Sequence, residues 1–98
     1  MTSSNSSFSI LGVPPQVLAR IAGANIKLID IPAEGFSPER HDDYDEAIFV
    51  LDGRLKLQLE RRLIILEVGD YCLIPSGASH HALAGSASRI VLVDAEAP

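Results

Sequence analysis

The chain has 98 residues, of which 47% are hydrophobic and 21% are charged. These values are ordinary for a globular protein, and the length leaves room for one hydrophobic core, so two domains are excluded. The formal net charge of −5 repels nucleic-acid phosphates and anionic lipid headgroups, and no apolar run is long enough to cross a membrane. The single cysteine, Cys72, excludes an intramolecular disulfide and favours a cytoplasmic location.

Residues 1–9 are rich in Ser and Asn and show no apolar periodicity. We therefore expect a disordered tail there, followed by a single domain over residues 10–98, with extended backbone at Pro14 and Pro15. Seven short apolar runs separated by turn residues follow, which is the spacing of an all-β barrel or sandwich. The runs cover residues 17–21, 26–31, 47–51, 55–59, 63–68, 71–74 and 90–93.

Two hairpin turns are predicted between these runs. The Asp52-Gly53 dipeptide tolerates positive φ and predicts a hairpin between the third and fourth runs. In the fourth run, leucines at positions 55, 57 and 59 alternate with polar residues, which predicts one buried and one solvated face. Residues 22–25 contain Gly and Asn and predict a second hairpin turn, whose turn type the sequence does not specify.

Two segments place groups suited to metal binding near one another. Glu39 and His41 are two residues apart, so their side chains share a face if the chain is extended. Glu46 begins the next predicted strand and can return alongside them. His80 begins a strand after turns at Gly69-Asp70 and Pro75–Gly77, so a separate strand delivers the second histidine.

These segments resemble the two signature motifs of the cupin superfamily. The first motif is His, one residue, His, three or four residues, Glu, six residues, Gly. The second motif is Gly, five residues, Pro, one residue, Gly, two residues, His, three residues, Asn. The matching positions hold Glu39, His41, Glu46 and Gly53 in the first motif and Gly69, Pro75, Gly77, His80 and Ala84 in the second. Glu thus replaces the first His, and Ala replaces the final Asn.

The resemblance implies a cupin-type double-stranded β-helix, that is, a jelly-roll barrel, with a divalent metal bound by His41, Glu46 and His80. Two histidines and a carboxylate suit iron(II) and related first-row ions. Glu39 either supplies a fourth ligand, which favours a harder ion such as manganese(II), or repels Glu46 and leaves the barrel metal-free. The choice among manganese, iron, nickel and zinc stays open.

A pocket for a small organic ligand is predicted beside the metal. Ile48 and Val50 share strand parity with Glu46, so they should face inward and make the pocket largely apolar. Tyr44 lies beside the predicted ligands and can donate a hydrogen bond to a substrate.

The opposite face of the same strand carries Ala47, Phe49 and Leu51, all apolar. A chain of this length has little else to cover them, and the resemblance to small cupins implies a homodimer that pairs through such sheet faces.

Other polar residues have simpler interpretations. His81 should point away from His80 on a strand, and Asp42, Asp43 and Asp45 are interpreted as solvated loop residues. Cys72 lies in an apolar run and is interpreted as a small, inert hydrophobe.

Three functional hypotheses follow. The first is a metal-dependent enzyme acting on a small molecule, with dioxygenase, isomerase and lyase chemistry all open, since fold does not choose among them. The second is a module that binds or senses a small molecule without turnover. The third is a degenerate cupin that has lost its metal.

Overall fold

The structure, a computed structural model, describes residues 16–95. The tail predicted at residues 1–9 and the segment at Pro14 and Pro15 lie outside this range. The described residues form seven strands and no helix, which confirms the all-β prediction and leaves no helix there that could span a membrane. The strands are β1 (Gln16–Ile21), β2 (Ala24–Ile31), β3 (Glu46–Leu59), β4 (Arg62–Glu67), β5 (Tyr71–Ile74), β6 (His80–Ala82) and β7 (Ser88–Asp94).

Strand β3 is the longest strand and joins two antiparallel sheets. Its first half pairs with β5 and β7, and its second half pairs with β4 and β6. The first sheet continues from β7 to β2 and from β2 to β1. Two sheets that share a strand and close around one core are the arrangement of a jelly-roll barrel.

The core lies between the two sheets. The first half of β3 buries Glu46, Ile48 and Val50, and the second half buries the leucines at positions 55, 57 and 59. The alternation predicted for the second half is therefore confirmed. Buried apolar residues from the other strands complete the core, namely Ile31, Leu66, Ile74, Ala82 and Ile90.

The hairpin predicted at Asp52-Gly53 is wrong, because β3 runs through both residues and only bends there. Gly53 has a φ of +79°, and the register with β7 shifts between Val50 and Asp52. The shift moves the inward-facing positions from even to odd numbers, so both halves of β3 face the core. A hairpin turn and a bulge both use the left-handed backbone that this dipeptide tolerates, and only the long-range pairing distinguishes them.

Two tight turns connect neighbouring strands elsewhere. Ala22 and Gly23 connect β1 to β2 with φ values of +53° and +84°, which confirms the second predicted hairpin and gives both central residues positive φ. Glu60 and Arg61 connect β3 to β4, with Glu60 at a φ of +54°. Neither residue of that second turn is a turn former, so the sequence pattern did not mark it.

Replacing Gly53 by Ala is expected to destabilise the protein by at least about 2 kcal/mol. Left-handed backbone costs a residue with a Cβ roughly 1–2 kcal/mol, and a Cβ at Gly53 would also clash with the backbone carbonyl of Ala87. Gly23→Ala is the matched control, because Gly23 has a φ of +84° and no atom within 4 Å of an added Cβ. Urea unfolding measures both free energies, and equal losses would contradict the role of Gly53.

Candidate metal centre

Backbone pairing brings the two predicted histidine segments together. Glu39 forms an isolated antiparallel bridge with His80: its N–H donates to the His80 carbonyl at 2.8 Å, and the His80 N–H donates to the Glu39 carbonyl at 2.9 Å. Gly77 donates its N–H to the carbonyl of His41 at 2.7 Å. The segment between β2 and β3 is thereby held along the start of β6, next to Glu46 at the start of β3.

The four predicted ligands converge on one point. Nε2 of His80 lies 3.3 Å from Oε1 of Glu46 and 3.9 Å from Oε1 of Glu39. Nε2 of His41 lies 3.6 Å from Oε1 of Glu39 and 3.7 Å from Oε2 of Glu46. One donor atom each from Glu39, His41 and His80 fits within 4.8 Å of the others. Glu39, His41 and His80 therefore form a candidate metal site, and the Glu46 carboxylate lies against both histidines.

Exposure rises across the cluster from the core to the surface. The side chains of His80 and Glu46 are 3% and 6% exposed, that of His41 is 28% exposed and that of Glu39 is 53% exposed. Glu39 therefore closes the solvent side of the cluster, and Glu46 lies at its buried side.

Both histidine rings are oriented through their Nδ1 atoms. Nδ1 of His80 lies 3.1 Å from the carbonyl oxygen of Ala78, which can only accept, so Nδ1 carries the proton. Nδ1 of His41 lies 2.8 Å from the hydroxyl of Tyr44, whose ring stacks on the imidazole at 4.9 Å between centroids. Partners on Nδ1 fix ring orientation and leave Nε2 for the centre of the cluster. The structure thus places the Tyr44 hydroxyl against His41, where the sequence had predicted a contact with substrate.

A cavity of about 240 Å³ adjoins the cluster, and its polar end is formed by Glu39, Glu46 and His80. Ile48, predicted as a pocket residue, lies in its wall. Val50, the other predicted pocket residue, packs in the core and is not among the lining residues. The rest of the wall consists of Ile29, Asp30, Ile31, Pro32, Phe36, Ile90 and Leu92.

Sequence reasoning missed Phe36, whose ring stands edge-on to that of His80 with 6.4 Å between centroids. Its N–H donates to the carbonyl of Ala82 at 3.1 Å, and the preceding Gly35 packs so tightly on Ala82 that a Cβ would clash with the backbone there. A single aromatic residue in an irregular segment carries no periodicity, so only the glycine beside it hinted at close packing.

A buried ionic cluster next to the site was also missed. Asp94 is the cross-strand partner of Glu46, and its carboxylate lies 2.9 Å from the Lys27 ammonium and accepts a hydrogen bond from Asn25 at 3.0 Å. The Lys27 ammonium offsets the charge of Asp94, so the carboxylate beside Glu46 adds little repulsion. The only signal in the sequence was a lysine inside the mostly apolar run 26–31, which also contains Asp30.

The remaining polar residues lie outside the cluster. His81 is half-buried and pairs with Gln58 on β3. Asp45 accepts a hydrogen bond from the N–H of Ser76 at 2.8 Å, and Asp42 pairs with Arg40 at 2.8 Å. Cys72 packs against the core, where burial raises the pKa of its thiol and so keeps it in the unreactive protonated form.

The fold and the cluster together are those of a small β-barrel of the cupin class. Residues 28–95 match the family described as Cupin domain, and this match covers more than half of the chain. The chain therefore belongs to the cupin family.

The chain is similar in sequence to part of one enzyme and in structure to other small proteins. A segment of 47 residues, 48% of this chain, is 43% identical to quercetin 2,3-dioxygenase from Bacillus subtilis (strain 168), and the match spans only 14% of that enzyme. A cupin-2 domain containing protein from Shewanella frigidimarina superposes with a TM-score of 0.77 at 26% identity, covering 94% of this chain and 91% of that one. The protein TT1209 from Thermus thermophilus superposes with a TM-score of 0.78 at 16% identity, covering 100% and 98%, and shares the fold alone.

The protonation of His80 provides a test of the cluster geometry. The hydrogen bond to the Glu46 carboxylate is the main cause that raises the pKa of His80 above 6.5, with burial opposing it and the Ala78 carbonyl adding to it. In metal-free protein the contact between protonated His80 and Glu46 stabilises the fold. This stabilisation is fully present below pH 6.5 and is lost as the pH rises through the folded-state pKa of His80. An NMR titration of the His80 ring should give a pKa above 6.5, and Glu46→Gln should lower it. An unchanged pKa in that variant would contradict the contact.

Proposed function

We propose that this cupin holds a divalent metal through His41, Glu46 and His80, with Glu39 as a fourth ligand, and that it binds or acts on a small organic molecule in the adjoining cavity. The observation that carries the proposal is the grouping of Glu39, His41 and His80 within reach of one ion, with Glu46 against both histidines, beside a largely apolar cavity. Pockets of this kind, apolar with a few convergent polar groups, are typical of small-molecule sites.

The chemistry of the donor set fits a first-row ion. Imidazole nitrogen suits iron, nickel and zinc, while carboxylate oxygen suits manganese, so the mixed set supports this group of ions without selecting one. Glu39 stands where the cupin motif has a histidine. Its Oε1 lies 3.6 Å from Nε2 of His41 and 3.9 Å from Nε2 of His80, which supports a role as ligand. A bound ion would also offset the repulsion between Glu39 and Glu46.

When bound, such an ion would polarise an oxygen of the ligand molecule and keep coordination positions open for it. The chain's own residues would hold the ion and position the bound molecule. His80 and His41 are oriented by the Ala78 carbonyl and the Tyr44 hydroxyl. The apolar wall excludes water and positions the body of the bound molecule.

Binding without turnover is a second candidate, and one observation favours it. Within residues 16–95, Asp30 is the only ionisable residue that lines the cavity apart from Glu39, Glu46 and His80. Its two carboxylate oxygens accept hydrogen bonds from Arg89 at 2.8 and 3.3 Å, so Asp30 is poorly suited to act as a general base. Any catalysis would depend on the metal and its ligands. The sequence similarity to a dioxygenase supports an enzyme of that kind over this alternative.

Elemental analysis of protein purified without chelators or metal-affinity tags tests the metal site. We expect close to one first-row ion per chain. His80→Ala should lose it, because the buried ligand is removed, and Glu39→Ala should retain less than the wild type. His81→Ala is the matched control and should keep its metal, since His81 pairs with Gln58 outside the cluster.

Two outcomes would contradict the proposal. One is an unchanged metal content in His80→Ala. The other is wild-type protein that contains no metal and shows no thermal shift with manganese, iron, nickel or zinc, which would support the degenerate cupin.

We also infer a homodimer, formed through the outer face of the first sheet. Phe49, Leu51, Tyr71 and Leu73 are all exposed, and they lie on the neighbouring strands β3 and β5, where Phe49 stacks on Tyr71 with 5.9 Å between ring centroids. Contiguous apolar surface of this kind marks an interaction site, and a two-fold dimer would bury the same apolar patch on both copies. A cytoplasmic location stays a prediction from the single cysteine.

Light scattering at high micromolar concentration tests the dimer. We expect twice the chain mass for the wild type and for Leu63→Lys, because Leu63 is exposed on β4, away from this face. Phe49→Lys places a charge at the centre of the face and should give a monomer. A wild-type monomer, or a dimeric Phe49→Lys variant, would contradict the interface.

A further inference from the structure

The wall of the cavity described above offers no permanently charged cationic side chain to a bound molecule. Among the described residues that line it, none is Lys or Arg. Lys27 shares a face of β2 with Ile29, but its ammonium lies 2.9 Å from the Asp94 carboxylate, and Lys27 is not among the lining residues. Arg89 is engaged by Asp30 through two hydrogen bonds. Both of these cations are therefore already paired with a carboxylate.

The polar end is also close to electrically neutral once a divalent ion is present. Glu39 and Glu46 contribute two negative charges, which balance the ion. The cupin motif with histidine at the first position would leave one net positive charge in the same place. The substitution at position 39 thus removes the charge that would attract an anion.

We propose that this site selects an uncharged small molecule with an apolar body and a hydroxyl or carbonyl oxygen at one end, and that it discriminates against carboxylates and phosphates. The inference rests on the proposed metal site. A carboxylate or phosphate that reached the ion would give the centre a net negative charge, because Glu39 and Glu46 already balance a divalent ion. No Lys or Arg among the described lining residues would offset that charge, and burying an uncompensated charge is costly. A hydroxyl or carbonyl oxygen can approach the ion without that cost, while the apolar body packs against the wall.

The volume of the cavity bounds the size of the molecule. An apolar protein cavity of roughly 150 Å³ holds benzene, and the cavity here measures about 240 Å³. A substituted single ring fits that space. The wall that such a ring would meet is apolar and comes from both β2 and β7, through Ile29, Ile31, Ile90 and Leu92.

A matched pair of probes tests the charge preference. 2′-Hydroxyacetophenone and salicylate share a phenol ring and an adjacent acyl oxygen, but only salicylate carries a carboxylate at neutral pH. Isothermal titration calorimetry on manganese-loaded protein should show the ketone binding at least about tenfold more tightly. Tighter or equal binding of salicylate would overturn the inference.

A single introduced charge should reverse the preference. Ile29 lines the cavity and is only partly buried, so Ile29→Lys can place an ammonium in the wall, and Ile29→Met is the uncharged control of similar length. We expect salicylate to gain at least about tenfold in the Lys variant and to be unchanged in the Met variant. Equal effects in the two variants would contradict the electrostatic explanation, and the wild-type comparison stands even if the Lys variant does not fold.

Metal content, measured in every sample before and after titration, separates the two levels of the proposal. Protein that takes up no ion would refute the proposed metal site. Protein that retains its ion and still prefers salicylate would refute only the substrate class.

Discussion

The candidate site depends on β3 staying one strand through its bend at Gly53. Glu46 is the first residue of β3, and His80 pairs with Leu59, the last. A straight strand of 14 residues would span roughly 45 Å at about 3.3 Å per residue, yet Nε2 of His80 lies 3.3 Å from Oε1 of Glu46. These donors meet only because β3 passes from one sheet into the other and both sheets close around a common core.

The other two donors depend on how the segment between β2 and β3 is attached to this barrel. Phe36 and Glu39 hydrogen-bond to residues of β6, and His41 accepts a bond from Gly77. Because these bonds belong to the backbone, they position the side chains of Glu39 and His41 without using their polar atoms. The carboxylate and the imidazole remain available to each other and to an ion.

Much of the fold follows from the sequence, because alternation of apolar and polar residues records which face of a strand is buried. The same parity placed Ile48 inward beside Glu46, as the structure has it. The bend at Gly53 could not be predicted in this way, since a local dipeptide specifies a left-handed backbone but not the strands that pair on either side of it. The long-range register with β7 decides between a turn and a bulge.

The site shows a similar division. The spacing of His41, Glu46 and His80 in the two motifs was enough to single them out. The spacing does not identify the residues that orient or shield these ligands, because each of those contacts is specific to this tertiary structure. Tyr44 is three residues from His41 and contacts its Nδ1, a relation that no regular strand period would produce. The pairing of Lys27 with Asp94 joins residues far apart in the chain.

The bridge between Glu39 and His80 has a consequence for how such a barrel can diversify. Its two hydrogen bonds run between main-chain atoms, so they do not depend on which side chain stands at position 39. That position is half exposed, and a larger or smaller group there displaces no core residue. Nitrogen and oxygen donors can therefore be exchanged at position 39 on an unaltered scaffold. One substitution there would change the net charge of the pocket while the barrel keeps its shape.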